Sequence, residues 1–399
     1  MSERLGVVIV GAGPVGLVSA LSLARAGIPS VVLEAADEFP IDLRASTFHP
    51  PTLDMLTELG VGETFVAMGE KAPVWQILDV ESGDRAVFDL SLIADKTRHP
   101  FRIQCEQYKL TPLLHEACQK TGLVDLRFSS PAREIIQLSD EVVVRYDHRG
   151  EAREIRANWL IGSDGAHSVV RKCMGLQLEG DTYPSVTILV TTPFPFDQHI
   201  PGVAAANYLW TRTDSGSLFK LPGEWRATFY PREGETDDES MLAPDAINER
   251  LQALAPSPSG YDIREIRAYK IHKRIVPNYR IGRMMLAGDA AHLNAPTGGM
   301  GMNGGIHDAM NLTEKLIRVI RGASQDLLDL YTRQRRPISY EEIIQQADAN
   351  RKRMEDRAPG RRAEILANLK SITADRDKHI AWLMKSSMLE GLSRAAAIE

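Results

Sequence analysis

The sequence predicts an α/β fold that carries an inserted mixed or antiparallel sheet and ends in helices. Three observations carry that reading. An apolar run, Val7 to Val10, breaks into Gly11-Ala12-Gly13-Pro14-Val15-Gly16 and continues at once as an apolar helix. Two later apolar runs, Asn158 to Ile161 and Arg283 to Ala287, end in acidic glycine turns, Gly162-Ser163-Asp164-Gly165 and Gly288-Asp289. Between them, over about 181–270, the pattern changes to short alternating runs of the kind that form antiparallel strands.

Length and composition bound the answer. A chain of 399 residues exceeds what one compact core usually serves, so two domains are expected. Apolar residues at 43% and charged residues at 25% fit a globular enzyme. The net charge of −6 and the lack of a long basic run argue against nucleic acid as a partner. Cys105, Cys118 and Cys173 show no C-x-x-C spacing, which argues for a reducing, cytoplasmic setting and against a disulfide framework or a metal site. The first strand begins almost at the N-terminus, so no signal peptide is expected. No apolar run is long enough for a membrane span.

Taken in order, residues 5–34 read as strand, helix, strand. Val15, Leu17, Val18, Leu21 and Leu23 give the helix an apolar face, and Gly27 ends it. Gly11 permits a tight turn, Gly13 a close approach to a diphosphate, and Gly16 close packing of helix on strand. Glu34, about 20 residues on, stands where a ribose hydroxyl pair is held. Ile41 to Pro51 is a loop. Its Arg44 can grip a phosphate or simply be solvated, and His49 before Pro50 reads as structural. Thr52 to Gly60 follows as a capped helix. Alternation from about 73 to 104 implies strands, turning at Ser82-Gly83-Asp84. Phe101 to Gln107 leads into a helix from Tyr108 to Thr121, ended by Gly122, and more strands run from Leu123 to Tyr146.

The Gly162–Gly165 turn puts a carboxylate at a strand's C-terminal end, the usual ligand edge of an α/β sheet. A helix begins near Ser168. In the antiparallel segment Ala243 to Leu254 reads as a helix. After Gly288-Asp289 comes a loop with five glycines within the eight residues 298–305, more than a purely structural loop needs. A helix runs from Asn303 to about Arg321. Residues 327–399 read as helices with breaks at Pro337 and Pro359-Gly360.

In this order, Gly11-x-Gly13-x-x-Gly16 with Glu34, Gly162-Ser163-Asp164-Gly165, and Gly288-Asp289 with its loop resemble the single-component flavoprotein aromatic hydroxylases. Para-hydroxybenzoate hydroxylase and phenol hydroxylase typify that class. The resemblance spans about 1–340. It implies a Rossmann-like FAD-binding domain formed by 1–72, 100–180 and 271–336. It further implies a substrate domain of 73–99 and 181–270, and a C-terminal helical region of 337–399.

The resemblance also implies FAD as bound cofactor and NADH or NADPH as co-substrate. Gly11, Gly13, Pro14, Val15 and Gly16 would hold the diphosphate, and Glu34 with Ala35 the adenosine ribose. Arg44 and Gln107 match positions near the diphosphate and ribityl chain. Asp164 matches a joint FAD and NAD(P)H contact, and Asp289 a ribityl partner. Pro296, Gly298, Gly301, Met302 and Asn303 would line the isoalloxazine. Backbone N–H groups at a helix N-terminus there suit the negative charge of reduced flavin.

The implied reaction hydroxylates a small aromatic or heteroaromatic substrate, phenolic or carboxylic, with O2 through a flavin C4a-hydroperoxide that must be shielded from water. No base is assigned. Tyr208, Trp210, Arg212, Tyr230 and His292 are pocket-facing candidates, each equally readable as a core or surface residue. The short region after Pro337 leaves no room for the thioredoxin-like domain of the large phenol hydroxylases, which favours the smaller members. A homodimer is a family expectation. A halogenase and a disulfide reductase lack their required residues here. A quinone-ring hydroxylase, a geranylgeranyl-reductase-like enzyme and a non-catalytic FAD-binding protein are the alternatives.

Overall fold

A computed structural model describes residues 5–41, 45–232, 234–235, 238–356, 358 and 360–399. The first strand, β1 (Leu5–Val10), is followed by helix α1 (Pro14–Arg25) and strand β2 (Ser30–Leu33). Val8 of β1 stands between Val31 of β2 and Leu160 of the strand Glu151–Gly162, both in parallel register. The parallel sheet extends through β2 to Val124–Arg127 and, on the other side, through Glu151–Gly162 to Met284–Leu286. β1, β2 and Met284–Leu286, buried on both faces, are near-continuous apolar runs, as central parallel strands require, whereas the edge strand Val124–Arg127 is only partly buried and carries Asp125 and Arg127. The helices Leu110–Thr121 and Gly301–Ile320 pack on α1. Gly27 (φ +81°) and Gly122 (φ +66°) end α1 and Leu110–Thr121 in conformations glycine adopts without strain.

The second sheet has eight strands in the order His292–Leu293, Glu265–Ile275, Glu179–Thr192, Glu224–Phe229, Ser215–Leu221, Ala206–Trp210, Val74–Asp79 and Arg85–Asp89. All its pairings are antiparallel except that of Ala206–Trp210 with Val74–Asp79. Strict alternation gives it two faces. Ile188, Val190, Trp225 and Phe229 on one face pack against Ile247, Leu251 and Leu254 of the helix Pro244–Leu254. On the other, Trp75, Tyr208, Trp210 and Tyr230 cluster with Leu366, Leu369 and Leu383 of the C-terminal helices. Trp75 stacks on Phe88 at 4.0 Å between ring centres, and Phe88 on Trp382 at 5.7 Å.

A three-stranded sheet, Thr47–Phe48, Arg102–Gln104 and Glu70–Ala72, completes the strands that bear on the site.

Two expectations need correction. The helix expected from Thr52 starts at Pro50, because a proline at the first helical position gives up a donor that has no partner there anyway. Pro337 does not break the chain's helical course. It lies inside the helix Asp326–Ile338, which runs on as a π-helical turn, Ser339–Gln345, into Gln346–Glu355. The lost donor is absorbed by the wider turn, while buried Leu328, Tyr331 and Ile338 hold the segment against its neighbours. The second break is present: helices end at Glu355 and restart at Arg361 after Gly360 (φ +76°).

Candidate active site

β1 delivers Gly11 to the C-terminal edge of the parallel sheet. Gly11 has φ +100°, and a Cβ there would lie 2.5 Å from the Ser163 carbonyl oxygen. The Ser163 hydroxyl donates to the carbonyls of Val10 (3.0 Å) and Gly11 (3.1 Å), so the first two glycine motifs touch. Gly16 is equally constrained, since its Cβ would meet the Gly11 carbonyl oxygen at 1.9 Å. Gly13 is different: a Cβ there would meet nothing within 4 Å. Gly13 is also the N-cap of α1, with no side-chain cap and no acid in the first turn. Bare N–H groups at the positive end of a helix therefore border open space, which fits a diphosphate.

Glu34 sits at the end of β2 and accepts from the N–H groups of Ala12 (2.7 Å) and Ala36 (3.0 Å), with Ala35 exposed between. The third motif closes on the same point. A Cβ on Gly305 would lie 2.7 Å from Val15 Cγ2 and 3.0 Å from the Gly288 Cα. Asp289 is exposed on the turn that follows Gly288 (φ +63°). Helix Gly301–Ile320 also starts with no side-chain cap and no acid in its first turn.

The Asn303 side chain is a buried clasp. Its amide donates to the Thr47 (2.8 Å) and Gly299 (2.6 Å) carbonyls, and its oxygen accepts from His49 N–H (3.0 Å). Asn303 thus offers a ligand its backbone. In the same loop region Gly298 is buried, Met302 is half-buried and Pro296 is exposed. Gln107 opens a 3-10 turn, its N–H bonded to the Ala45 carbonyl at 2.9 Å. Arg44 lies outside the described residues.

The Asp164 carboxylate accepts from the Ser168 hydroxyl (2.5 Å) and the Val169 N–H (2.6 Å). It ties down the start of the helix Val169–Cys173. Burial pushes its carboxyl up from the usual range despite these bonds.

Tyr208 and Tyr230 lie on the second sheet's inner face with the strand Ser215–Leu221 between them, both buried. Tyr230 Oη is 2.6 Å from Thr297 Oγ1. Burial raises both phenols. For Tyr208, the Arg102 guanidinium and a backbone contact from Gly298 act in the opposite direction. His49 Nε2 donates to the Gly298 carbonyl at 2.7 Å. Burial, and then the charge of Arg102, hold its imidazole well below the ordinary range and hence neutral. The Gly298 loop thus has His49 on one side and the two tyrosines on the other.

The other candidates fall elsewhere. Arg212 requires correction: its strand ends at Trp210, and its side chain is 84% exposed beside Glu81. His292 is fully buried and donates to Asp308 at 2.8 Å, next to the Tyr279 ring, within a packed network. Trp210 Nε1 donates to the Met354 carbonyl at 2.9 Å and closes a core contact. Sequence reasoning did not single out Arg102, which the fold buries beside Tyr208. The available sign was a charged residue inside the otherwise uncharged run Phe101 to Gln104.

A family model described as an FAD binding domain matches residues 4–347. A para-nitrophenol 4-monooxygenase from Pseudomonas sp. strain WBC-3 is 31% identical, over 97% of this chain and 96% of its own length. A 6-hydroxy-3-succinoylpyridine 3-monooxygenase from Pseudomonas putida S16 is 33% identical, over 95% and 96%. The crystal structure of a p-nitrophenol 4-monooxygenase from Pseudomonas putida DLL-E4 superposes with a TM-score of 0.90 at 30% identity, covering 98% of this chain and 99% of that one.

Proposed function

The chain belongs to the FAD binding domain family and is an FAD-dependent monooxygenase of aromatic substrates, and from that premise we propose its finer assignment. The substrate is a single-ring phenolic or carboxylic aromatic or heteroaromatic compound, hydroxylated with O2 at the expense of NADH or NADPH. The observation that carries this reading is the meeting of three distant glycine motifs and two uncapped helix N-termini beside a buried wall of two tyrosines and a histidine.

FAD, when bound, supplies the electron transfer and oxygen activation. The chain's own residues bind, orient and shield. The N-terminus of α1 with Gly13 receives the diphosphate, Glu34 the ribose end, and Asp289 the ribityl chain. The N–H groups of Gly301, Met302 and Asn303 stabilise negative charge at the ring end. Tyr208 and Tyr230 face the substrate, and the C-terminal helices over Trp75 and Phe88 keep water from that face.

The division into an FAD-binding domain and a substrate domain belongs to the same proposal, as do a homodimeric assembly and a cytoplasmic location. Among the described residues no helix is long and apolar enough to cross a membrane.

The test is oxidation of NADH and of NADPH by the purified protein against a panel of phenols and aromatic acids, with oxygen uptake and product mass recorded. A single added oxygen in the product is expected. A protein that retains no FAD defeats the reading. Asp289→Ala is expected to weaken FAD retention while leaving the fold intact, since its side chain is exposed. FAD affinity equal to wild type would refute the ribityl role.

A further inference from the structure

Among the described residues, Arg102 carries a buried charge without a counter-ion. It lies in the middle of the site, 2% exposed, on the short strand Arg102–Gln104. Its guanidinium stands 4.9 Å from the centre of the Trp75 ring. Nη2 makes one long bond, 3.4 Å, to the Ser386 carbonyl. Nε and Nη1 have no hydrogen-bond partner among the described residues. None of the ion pairs among those residues includes Arg102, and the ionisable group that acts on its charge is Tyr208, whose neutral hydroxyl makes a weak contact with the guanidinium and supplies no counter-charge.

The other buried arginines each have a carboxylate at hand or backbone acceptors. Arg250 pairs with Asp214 at 2.6 Å, Arg280 with Asp329 at 2.7 Å, Arg335 with Asp308 at 2.7 Å, and Arg351 with Glu355 at 2.8 Å. Arg171 donates to two carbonyls and feels Asp164. Arg226 likewise has no hydrogen-bond partner on its guanidinium nitrogens among the described residues, but it stands in the field of three carboxylates, Glu106, Glu224 and Glu265, which offset part of its burial. A guanidinium held out of water with neither a carboxylate nor a full set of acceptors is costly to the fold. Such a group is retained where a ligand completes it.

We propose that Arg102 is the counter-ion for an oxyanion on the aromatic substrate, with the Tyr208 hydroxyl as the second contact to that oxygen. The inference rests on the aromatic monooxygenase reading and narrows it: the enzyme selects rings that arrive charged. Two N–H groups and a planar fork suit a carboxylate or a phenolate oxygen. His49 beside it stays neutral and adds no competing positive charge. Trp75 covers one face of the guanidinium and keeps water off it.

The experiment uses the FAD-loaded protein and its Arg102→Met and Arg102→Lys variants, first matched in FAD content. Three probes are titrated by their perturbation of the flavin spectrum: 4-nitrophenolate, benzoate and the uncharged 4-nitroanisole. Arg102→Met is expected to weaken whichever anion the wild type binds by about tenfold or more, and to leave 4-nitroanisole within about twofold. Arg102→Lys is expected to restore part of the loss. Should the Met variant lose FAD, the Lys variant carries the same comparison, because a point charge grips an oxyanion less well than a fork. The anion that suffers distinguishes a ring oxygen from a carboxylate.

Equal losses for charged and uncharged probes would make Arg102 a packing residue and overturn the proposal. So would unchanged anion binding with a shifted flavin midpoint potential, which would give the charge to the cofactor instead. A wild type that holds no FAD, or binds none of the three probes, defeats the functional reading itself. A wild type that binds while its variants are indifferent defeats only the role of Arg102.

Discussion

His292 Nε2 lies 2.8 Å from Oδ2 of Asp308, and both side chains are fully buried. Asp308 joins three parts of the chain. Its other oxygen accepts from Arg335 Nε at 2.7 Å, and Oδ2 also accepts from the Gly288 N–H at 3.2 Å. Gly288 precedes Asp289, so a carboxylate on the long helix Gly301–Ile320 secures the turn that presents the proposed ribityl partner.

Removing this charge strands Arg335 and frees the turn. Asp308→Asn is therefore expected to cost about 3–5 kcal/mol of stability near neutral pH, measured by denaturant unfolding. Burial pushes the Asp308 carboxyl up, but Arg335 and His292 outweigh burial and hold it below the usual range. A lowered folded value means the stabilisation is complete above the unfolded pKa of about 4 and is lost as pH falls through the folded value. The gap between wild type and variant should narrow on acidification below about pH 4. A gap unchanged from neutral pH into that range refutes the assignment.

Gly13 and Gly16 stand three residues apart and should fail differently. Gly13 has φ −68° and room for a methyl group, so Gly13→Ala should fold with near-wild-type stability and bind FAD more weakly. Gly16→Ala would drive Cβ into the Gly11 carbonyl at 1.9 Å and should destabilise the apoprotein itself. Thermal melts without cofactor, paired with FAD titrations, separate the two. Equal melting temperatures for both variants would contradict the packing argument.

The cysteines give a chemical check on the fold. Burial pushes the thiol of Cys105 up to about 11 and that of Cys118 up to about 12, while Cys173 is exposed. A thiolate reagent at neutral pH should label the native protein once, at Cys173, and all three cysteines after denaturation. Peptide mass mapping that finds rapid native labelling of Cys105 or Cys118 would show that the core around them opens.

Much of the site was legible because its chemistry is local. Gly11, Gly13 and Gly16 are demanded by a turn, an open approach and a helix contact, all written within six residues. The Gly288 turn and the glycine loop after it announce themselves in the same way, as does the uncapped helix that begins at Gly301. Pro337 misled because a proline's cost depends on what surrounds it: buried neighbours and a π turn keep that helix continuous. Arg212 misled because alternation on a strand says nothing about where the strand stops.

Sequence alone determined the parallel sheet, the dinucleotide turn with Glu34, the change to a second sheet, and the family they point to. Backbone geometry and apolar periodicity act over a few residues, so they can be read from a few residues. Only the tertiary structure decided which charges are paired. Arg335 meets Asp308 from 27 positions away, and His49 reaches Gly298 across 249. Arg102 comes to rest under Trp75 and Tyr208, with no acid beside it among the described residues. A side chain's need for a counter-ion arises when the fold removes water from it, and no run of neighbouring residues records that removal.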